Sequence, residues 1–210
     1  MYTIVLLAVL GILLGIVLMQ LFKKQPETSQ AVPDLANLTV TDARAGDALS
    51  ISGAGDNYTD LDFTAERMTR FNAGNRNWFE VSGSYRNRRV ILRVASDEDL
   101  DVSLCDGKDS LTLNDLALAE EDLAEMDDRQ NVDDNFEFHG KSWLYRLSRE
   151  VHATRSDQAA PIGFYYWEFR EQGGKDLIAI RKPEGEPFAV TRYAAIHPTD
   201  VTVYRGRLTT

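Results

Sequence analysis

Hydrophobic positions fall into two regimes along this chain. From Met1 to Phe22 they run on without a single charged side chain and stop at Lys23-Lys24. At about 1.5 Å per residue such a run matches the roughly 30 Å hydrocarbon core of a bilayer, so it predicts one membrane-spanning helix. No Lys or Arg precedes it, it is longer than a signal-peptide core, and Ala31-Val32-Pro33 makes a poor cleavage site, so the anchor is expected to be retained.

Beyond it the apolar residues alternate in short stretches. Ala48–Ser52, Leu61–Phe71, Trp78–Tyr85, Arg88–Val94, Leu100–Cys105 and Ser110–Leu113 read as strands. Trp143–Leu147, Phe164–Arg170, Asp176–Arg181, Phe188–Tyr193 and Val201–Arg205 repeat the style. The turns between them are Asn72-Ala73-Gly74-Asn75, Arg86-Asn87, Asp106-Gly107, Gln172-Gly173-Gly174 and Pro183-Glu184-Gly185. In Arg88–Val94, Val90, Leu92 and Val94 share one face, while Arg89 and Arg93 point the other way. Asn114–Asp128 departs from this period. It is rich in Ala, Leu and Glu, with Leu116, Leu123 and Met126 near helical spacing.

The pattern therefore predicts a mainly β chain: antiparallel meanders forming a sandwich or a partly open barrel, one short helix, and the N-terminal transmembrane helix. Residues 1–22 are the span, 23–44 a polar, proline-punctuated juxtamembrane linker, and 45–210 the β-rich body. Within the body, 45–113 and 138–207 read as two related halves joined by the acidic helix and loop 114–137. Each half holds a Trp-bearing hairpin, Trp78-Phe79-Glu80-Val81 with Val90-Ile91-Leu92, and Trp167-Glu168-Phe169 with Leu177-Ile178-Ala179-Ile180.

These residues carry a family resemblance. The run from Ala45-Gly46-Asp47 through Trp78-Phe79-Glu80-Val81 to Asp97-Glu98-Asp99 resembles the bacterial domain of unknown function 4178. In that family a Gly-Asp start precedes strands with a Trp-x-Glu-aromatic hairpin and an aliphatic return strand followed by acids. Trp167-Glu168-Phe169 with Leu177–Ile180 makes a second match. Val81 stands where an aromatic is usual, and Val90-Ile91-Leu92 lacks the return-strand Trp. The resemblance spans roughly residues 45–205. It implies a β-rich, often membrane-associated bacterial protein without assigned chemistry, whose genes keep company with membrane-stress and polyamine-related ones.

Charge refines the picture. The chain carries a net −10, and residues 97–137 hold sixteen acids against only Lys108 and Arg129. Residues 66–93 hold seven arginines against Glu66 and Glu80. The two regions either pair in the fold or form solvated faces, and the acidic one is also a candidate docking surface for a basic partner, a polyamine or divalent cations. Asp97-x-Asp99-x-Asp101 fails as a calcium loop, with Val102 in place of the turning glycine and Lys108 in place of the bidentate Glu. A pI near 4.8 without a basic recognition element excludes nucleic-acid binding.

No catalytic, cofactor or metal motif emerges. His139, His152 and His197 lack ligand spacing, Cys105 reads as a small buried hydrophobe, and Gly53-Ala54-Gly55 has neither Lys nor a following helix. Lys23 and Lys24 flank the span on one side, which places the body in the cytoplasm by the positive-inside rule, and a single cysteine suits that compartment. Gly11 and Gly15 have the spacing of a close helix contact and so a weak homodimer.

The expectation is thus a single-pass protein of the bacterial inner membrane, acting as a non-enzymatic binding or assembly module with a protein partner. Tyr165 and Trp167 are the candidate aromatic contacts, because Phe164–Trp167 puts bulky rings on both faces of one strand. Glu120, Glu121 and Asp122 are the charged ones. The alternative is an enzyme or a small-ligand or cation receptor with a pocket between the halves, using Glu80 and Glu168.

Overall fold

The computed structural model describes residues 38–96, 99–158 and 160–206. The span 1–22 with Gly11 and Gly15, and most of the linker, lie outside them. Among the described residues no helix is long and apolar enough to cross a membrane.

The elements run β1 (Ala48–Ile51), β2 (Leu61–Thr64), β3 (Arg67–Ala73), β4 (Arg76–Tyr85), β5 (Arg88–Ser96), β6 (Leu100–Cys105), α1 (Glu120–Arg129), β7 (Asn135–Phe138), β8 (Lys141–Arg155), β9 (Ile162–Glu171), β10 (Leu177–Pro183), β11 (Ala189–Ala195) and β12 (Val201–Tyr204). Two four-stranded antiparallel meanders, β3-β4-β5-β6 and β8-β9-β10-β11, join edge to edge. Ser103 and Leu104 of β6 pair with Ala195 and Ala194 of β11, and residues 69–72 of β3 pair with 152–155 of β8. The eight strands close into a barrel, so the expected sandwich or partly open barrel is corrected to a closed one. Closure leaves none of these eight strands with a free edge along its whole length.

Strand length and one irregularity explain how β8 serves three neighbours, β9 on one edge and both β7 and β3 on the other. Its first residues pair with β7 and its last with β3. Between Tyr145 and Leu147 the register with β9 shifts. Trp143 and Tyr145 accordingly face outward, while Leu147 and Val151 face the barrel interior; an uninterrupted strand would keep all of them on one side.

Both faces of the barrel wall are covered. On the first meander, outward Val81, Leu92, Val94, Val102 and Leu104 meet Leu49, Ile51, Leu61, Phe63 and Val203 from a second, three-stranded sheet ordered β12-β1-β2. On the second, outward Trp167, Phe169, Ile178 and Ile180 lie beneath Leu116, Leu118, Leu123 and Met126 from the helical segment and Phe136 and Phe138 of β7. At the entry to β1, Gly46 takes φ +92° and Asp47 is buried, its carboxylate accepting from Arg205 at 2.7 Å and from the backbone N–H groups of Arg44 and Gly206.

Three local expectations change. The single strand 61–71 is two, split at Ala65-Glu66, where Ala65 donates to the Asp47 carbonyl and Glu66 to that of Ser82. The turn at Gly107 forms, but 110–113 makes only one bridge, Leu111 to Val190, because its leucines pack under the outer aromatic cluster instead of pairing back on β6. The end of the acidic loop forms an unforeseen strand, β7, which makes a hairpin with the start of β8; its tip His139-Gly140 has positive φ at both central positions.

Candidate functional site inside the barrel

Alternation along each barrel strand sends every second side chain inward, and several of these are charged. In the middle of the interior Arg93 of β5 donates to Glu168 of β9 at 3.1 Å, with Glu168 and Arg93 each 1% exposed. The Tyr166 hydroxyl donates to the same carboxylate at 3.0 Å, and Arg170 and Arg76 reach it at 3.3 and 3.5 Å. Arg93 and Arg170 also meet Asp101 of β6. A second unit lies alongside: Glu80 of β4 accepts from Arg181 of β10 and, at 2.9 Å, from the Tyr193 hydroxyl of β11. The two units exchange partners between the meanders: the glutamate of the first takes an arginine of the second, and the reverse. The register is offset by two residues, since Glu80 stands opposite Arg93 across β4 and β5, whereas Arg181 stands opposite Tyr166 across β9 and β10.

Burial alone would raise the Glu168 carboxyl, but Arg93, Arg170, Arg76 and the Tyr166 hydroxyl outweigh it and hold the carboxyl below its ordinary range. Burial pushes the Tyr166 and Tyr193 hydroxyls up, with Glu168 beside one and Glu80 beside the other adding to it. The interior thus holds the Glu168 carboxylate as an anion among guanidiniums and a buried phenol, with Glu80 bonded to Arg181 and the Tyr193 hydroxyl beside it.

One end of the barrel stays open as a cup of about 270 Å³, bounded by strands of both meanders. Arg67, Arg89, Arg155 and Arg181 line it, with Glu80 as its acidic member. Asp157 accepts from both Arg67 and Arg155 at 2.9 Å. Arg181 lies over the Phe71 ring, 4.9 Å from its centroid, and 5.8 Å from that of Phe164. Arg89 donates to the Ser82 hydroxyl at 2.6 Å and meets no carboxylate among the described residues.

No family model, curated protein or solved structure matches this chain.

The expected site residues divide accordingly. Glu80 and Glu168 do enter one interior, each already engaged by arginine. Trp78 and Trp167, which the sequence presents as equivalents, sit on opposite faces of the wall. Trp78 is two residues from Glu80 and points inward with it; Trp167 adjoins Glu168 and points outward. Trp167 is 7% exposed and donates to the Leu123 carbonyl at 3.2 Å, and the Tyr165 hydroxyl donates to Asp127 at 2.8 Å. The expected aromatic contact surface is thus corrected: α1 of the same chain covers it. Glu120, Glu121 and Asp122 are exposed in the first turn of α1, where Asp122 accepts from the Ala119 N–H at 2.7 Å.

Sequence reasoning missed Arg93, Arg181, Tyr166 and Tyr193. The available signal was parity. Arg89, Ile91 and Arg93 alternate with Val90, Leu92 and Val94, but in a soluble strand the charged face is normally the wet one. Cys105, half-buried at the end of β6, has its thiol pushed up by burial, and His139 sits in the exposed tip of the β7-β8 turn.

Proposed function

We propose that the chain is a non-enzymatic binding and assembly module held at the bacterial inner membrane. Residues 1–22 are the tether and 23–44 the connector, whose end packs Val40 and Ala43 into the core of the body, and the barrel works on the cytoplasmic side beside a membrane protein partner. Tethering confines the body to two dimensions and raises its effective concentration near such partners. The resemblance to the bacterial domain of unknown function 4178 points the same way.

One observation carries the preference for binding over catalysis. The interior carboxylates, Glu80 and Glu168, are each matched to an arginine of the opposite meander. A general acid or base must exchange its proton near the working pH; Glu168, held below its ordinary range by Arg93, Arg170 and Arg76, is poor at that task, and the Glu80 carboxylate is already taken up by Arg181 and the Tyr193 hydroxyl. They are well suited to fixing the barrel's shape. With Tyr165 and Trp167 under α1, Glu120 and Glu121 remain as partner contacts, and they favour a basic surface.

Washing membranes with alkaline carbonate tests the tether. The full chain is expected to stay in the pellet, and its release into the wash would overturn the reading. A C-terminal reporter active only in the cytoplasm checks the side, and activity confined to the periplasm would reverse it. For the partner, a photo-crosslinker at position 121 is expected to give a discrete adduct that is lost when residues 1–22 are deleted.

A second reading, a small-ligand receptor with its pocket between the meanders, is favoured by the open cup. A polyamine is a poor occupant there, since it would meet four guanidiniums.

A further inference from the structure

The receptor reading can be carried to a ligand class. We propose that the arginine-lined cup binds a compact organic anion, a carboxylate or phosphate carried on a small apolar body. This rests on the receptor reading and is independent of the membrane tether.

Charge comes first. The protein as a whole is strongly acidic, at net −10, yet this cup gathers guanidiniums from β3, β5, β8 and β10. Four cations face two carboxylates, Glu80 in the wall and Asp157 bonded to Arg67 and Arg155. Arg67, Arg155 and Arg181 are half-buried and Arg89 is exposed, and surplus positive charge converging on such a concave surface attracts anions more strongly than the same charges spread over a flat one. Solubility does not require it, because exposed lysines and arginines would serve as well.

The unequal pairing of the four arginines comes next. Three of them are engaged by carboxylates, whereas Arg89 is held only by the Ser82 hydroxyl, at 2.6 Å. A hydroxyl orients a guanidinium without neutralising it, so Arg89 keeps donors for an incoming oxyanion. The planar fork of arginine matches carboxylate and phosphate oxygens in pairs.

The remaining wall selects the body of the ligand. Ile91, Ile162, Phe71 and Phe164 supply apolar surface between the arginines. A bare inorganic anion would leave that surface wet, while a short alkyl or aromatic group would cover it. A volume of about 270 Å³ lies just below the roughly 300–1,000 Å³ of pockets for drug-sized ligands, which points to a small molecule.

The test is calorimetric titration of the full chain in nanodiscs of zwitterionic lipid with hexanoate, phenyl phosphate, inorganic phosphate, hexylamine and hexanol. Hexanoate or phenyl phosphate is expected to bind, with inorganic phosphate about tenfold weaker or worse and the amine and alcohol not binding. Arg89→Ala should weaken the organic anion by about tenfold or more, with Arg89→Lys recovering part of the loss. Ile162→Trp, which fills the cup without changing charge, should abolish binding and keeps the test decisive if Arg89→Ala fails to fold. Equal binding of the amine or alcohol, undiminished binding by both variants, or no heat from any probe at millimolar concentration overturns the proposal. Repeating the titration with anionic phosphatidylglycerol nanodiscs separates sources: competition by the bilayer assigns the oxyanion to a lipid headgroup, and unchanged affinity assigns it to a free molecule. Carbonate washing of the same chain reports on the tether separately, so either idea can fail alone.

Discussion

Arg93 of β5 and Glu168 of β9 form an ion pair, 3.1 Å apart, in the middle of the barrel, with side chains 1% and 2% exposed. Taking both ions out of water costs several kcal/mol each, and their attraction offsets this only when further hydrogen bonds satisfy the remaining lone pairs and protons. Here Tyr166, Arg170 and Arg76 do so on the carboxylate side; on the other, Asp101 and the face of Trp78, 5.3 Å from the guanidinium carbon, engage Arg93, whose buried Nε has no hydrogen-bond partner among the described residues. Such a pair is costly to break and cheap to replace. Glu168→Gln is expected to destabilise the fold by about 3–5 kcal/mol in urea unfolding, because it leaves Arg93 buried without its main counter-charge. Arg93→Met combined with Glu168→Leu should cost clearly less than Glu168→Gln alone. A double variant worse than the single one would mean the network is cooperative beyond this pair.

The same carboxyl makes stability depend on pH. Its folded pKa lies below the ordinary glutamate value of 4.5, so the unfolded chain binds the proton more readily than the folded one. The contribution is complete above the unfolded value and is lost as pH falls through the folded one. Urea midpoints should therefore hold level from pH 7 to about 5 and drop below 4.5, and Glu168→Gln should make that drop shallower. A midpoint that rises on acidification would contradict the assigned direction.

How much of this could be read from the chain depends on whether a feature follows from local period. Most strands, most turns and the presence of one helix did, because alternation, Gly-containing turns and an Ala-, Leu- and Glu-rich run are local; the helix itself is shorter than 114–128, Glu120–Arg129, with Leu116 in a separate 3-10 turn before it. Barrel closure did not. It rests on β6 meeting β11 and β3 meeting β8, contacts across about 90 residues on which no local pattern bears. The site was half legible. Glu80 and Glu168 were picked for their place beside tryptophans, and both lie inside, but the arginines that hold them were not placed there: Arg93 fell in a region read as pairing with the acidic segment or as a solvated face, and Arg181 drew no reading. A strand with Val90, Leu92 and Val94 on one face and Arg89 and Arg93 on the other normally has one wet side. Here the three-stranded sheet covers the valine face and the barrel encloses Arg93 on the other, while Arg89 nearer the strand's start stays exposed. The rings at 164–167 were expected to need cover on one of their two faces, from the other half, a partner or the membrane surface. α1 lies over Trp167 on the outer face, and Phe164 and Tyr166 pack inside the barrel.

That cover can be tested directly. Leu123 is fully buried between α1 and the outer face of β9 and β10, and the adjoining carbonyl accepts from the Trp167 indole at 3.2 Å. Leu123→Ala is expected to cost about 2–5 kcal/mol, since the aromatic rings around it cannot collapse into the space. Amide exchange should quicken across 120–129 before it does in β9. Uniform acceleration over the whole barrel would show instead that helix and barrel unfold as one unit.

The join between the two sheets rests on a missing side chain. Gly83 faces outward in β4, and a Cβ there would collide with the Thr64 carbonyl oxygen, with the Phe63 ring 2.8 Å away. The constraint is one of space, because no positive φ is involved, and the obstructing atom is backbone belonging to β2. Neither group can swing aside without lifting the three-stranded sheet from Val81 and Leu92 beneath it. Gly83→Ala is therefore expected to destabilise by about 1–3 kcal/mol, the usual cost of overpacking, and Gly83→Val by more. Thermal unfolding of the two variants checks the order. If alanine is tolerated without loss, the sheet can ride outward on the barrel and the close approach is not needed for stability.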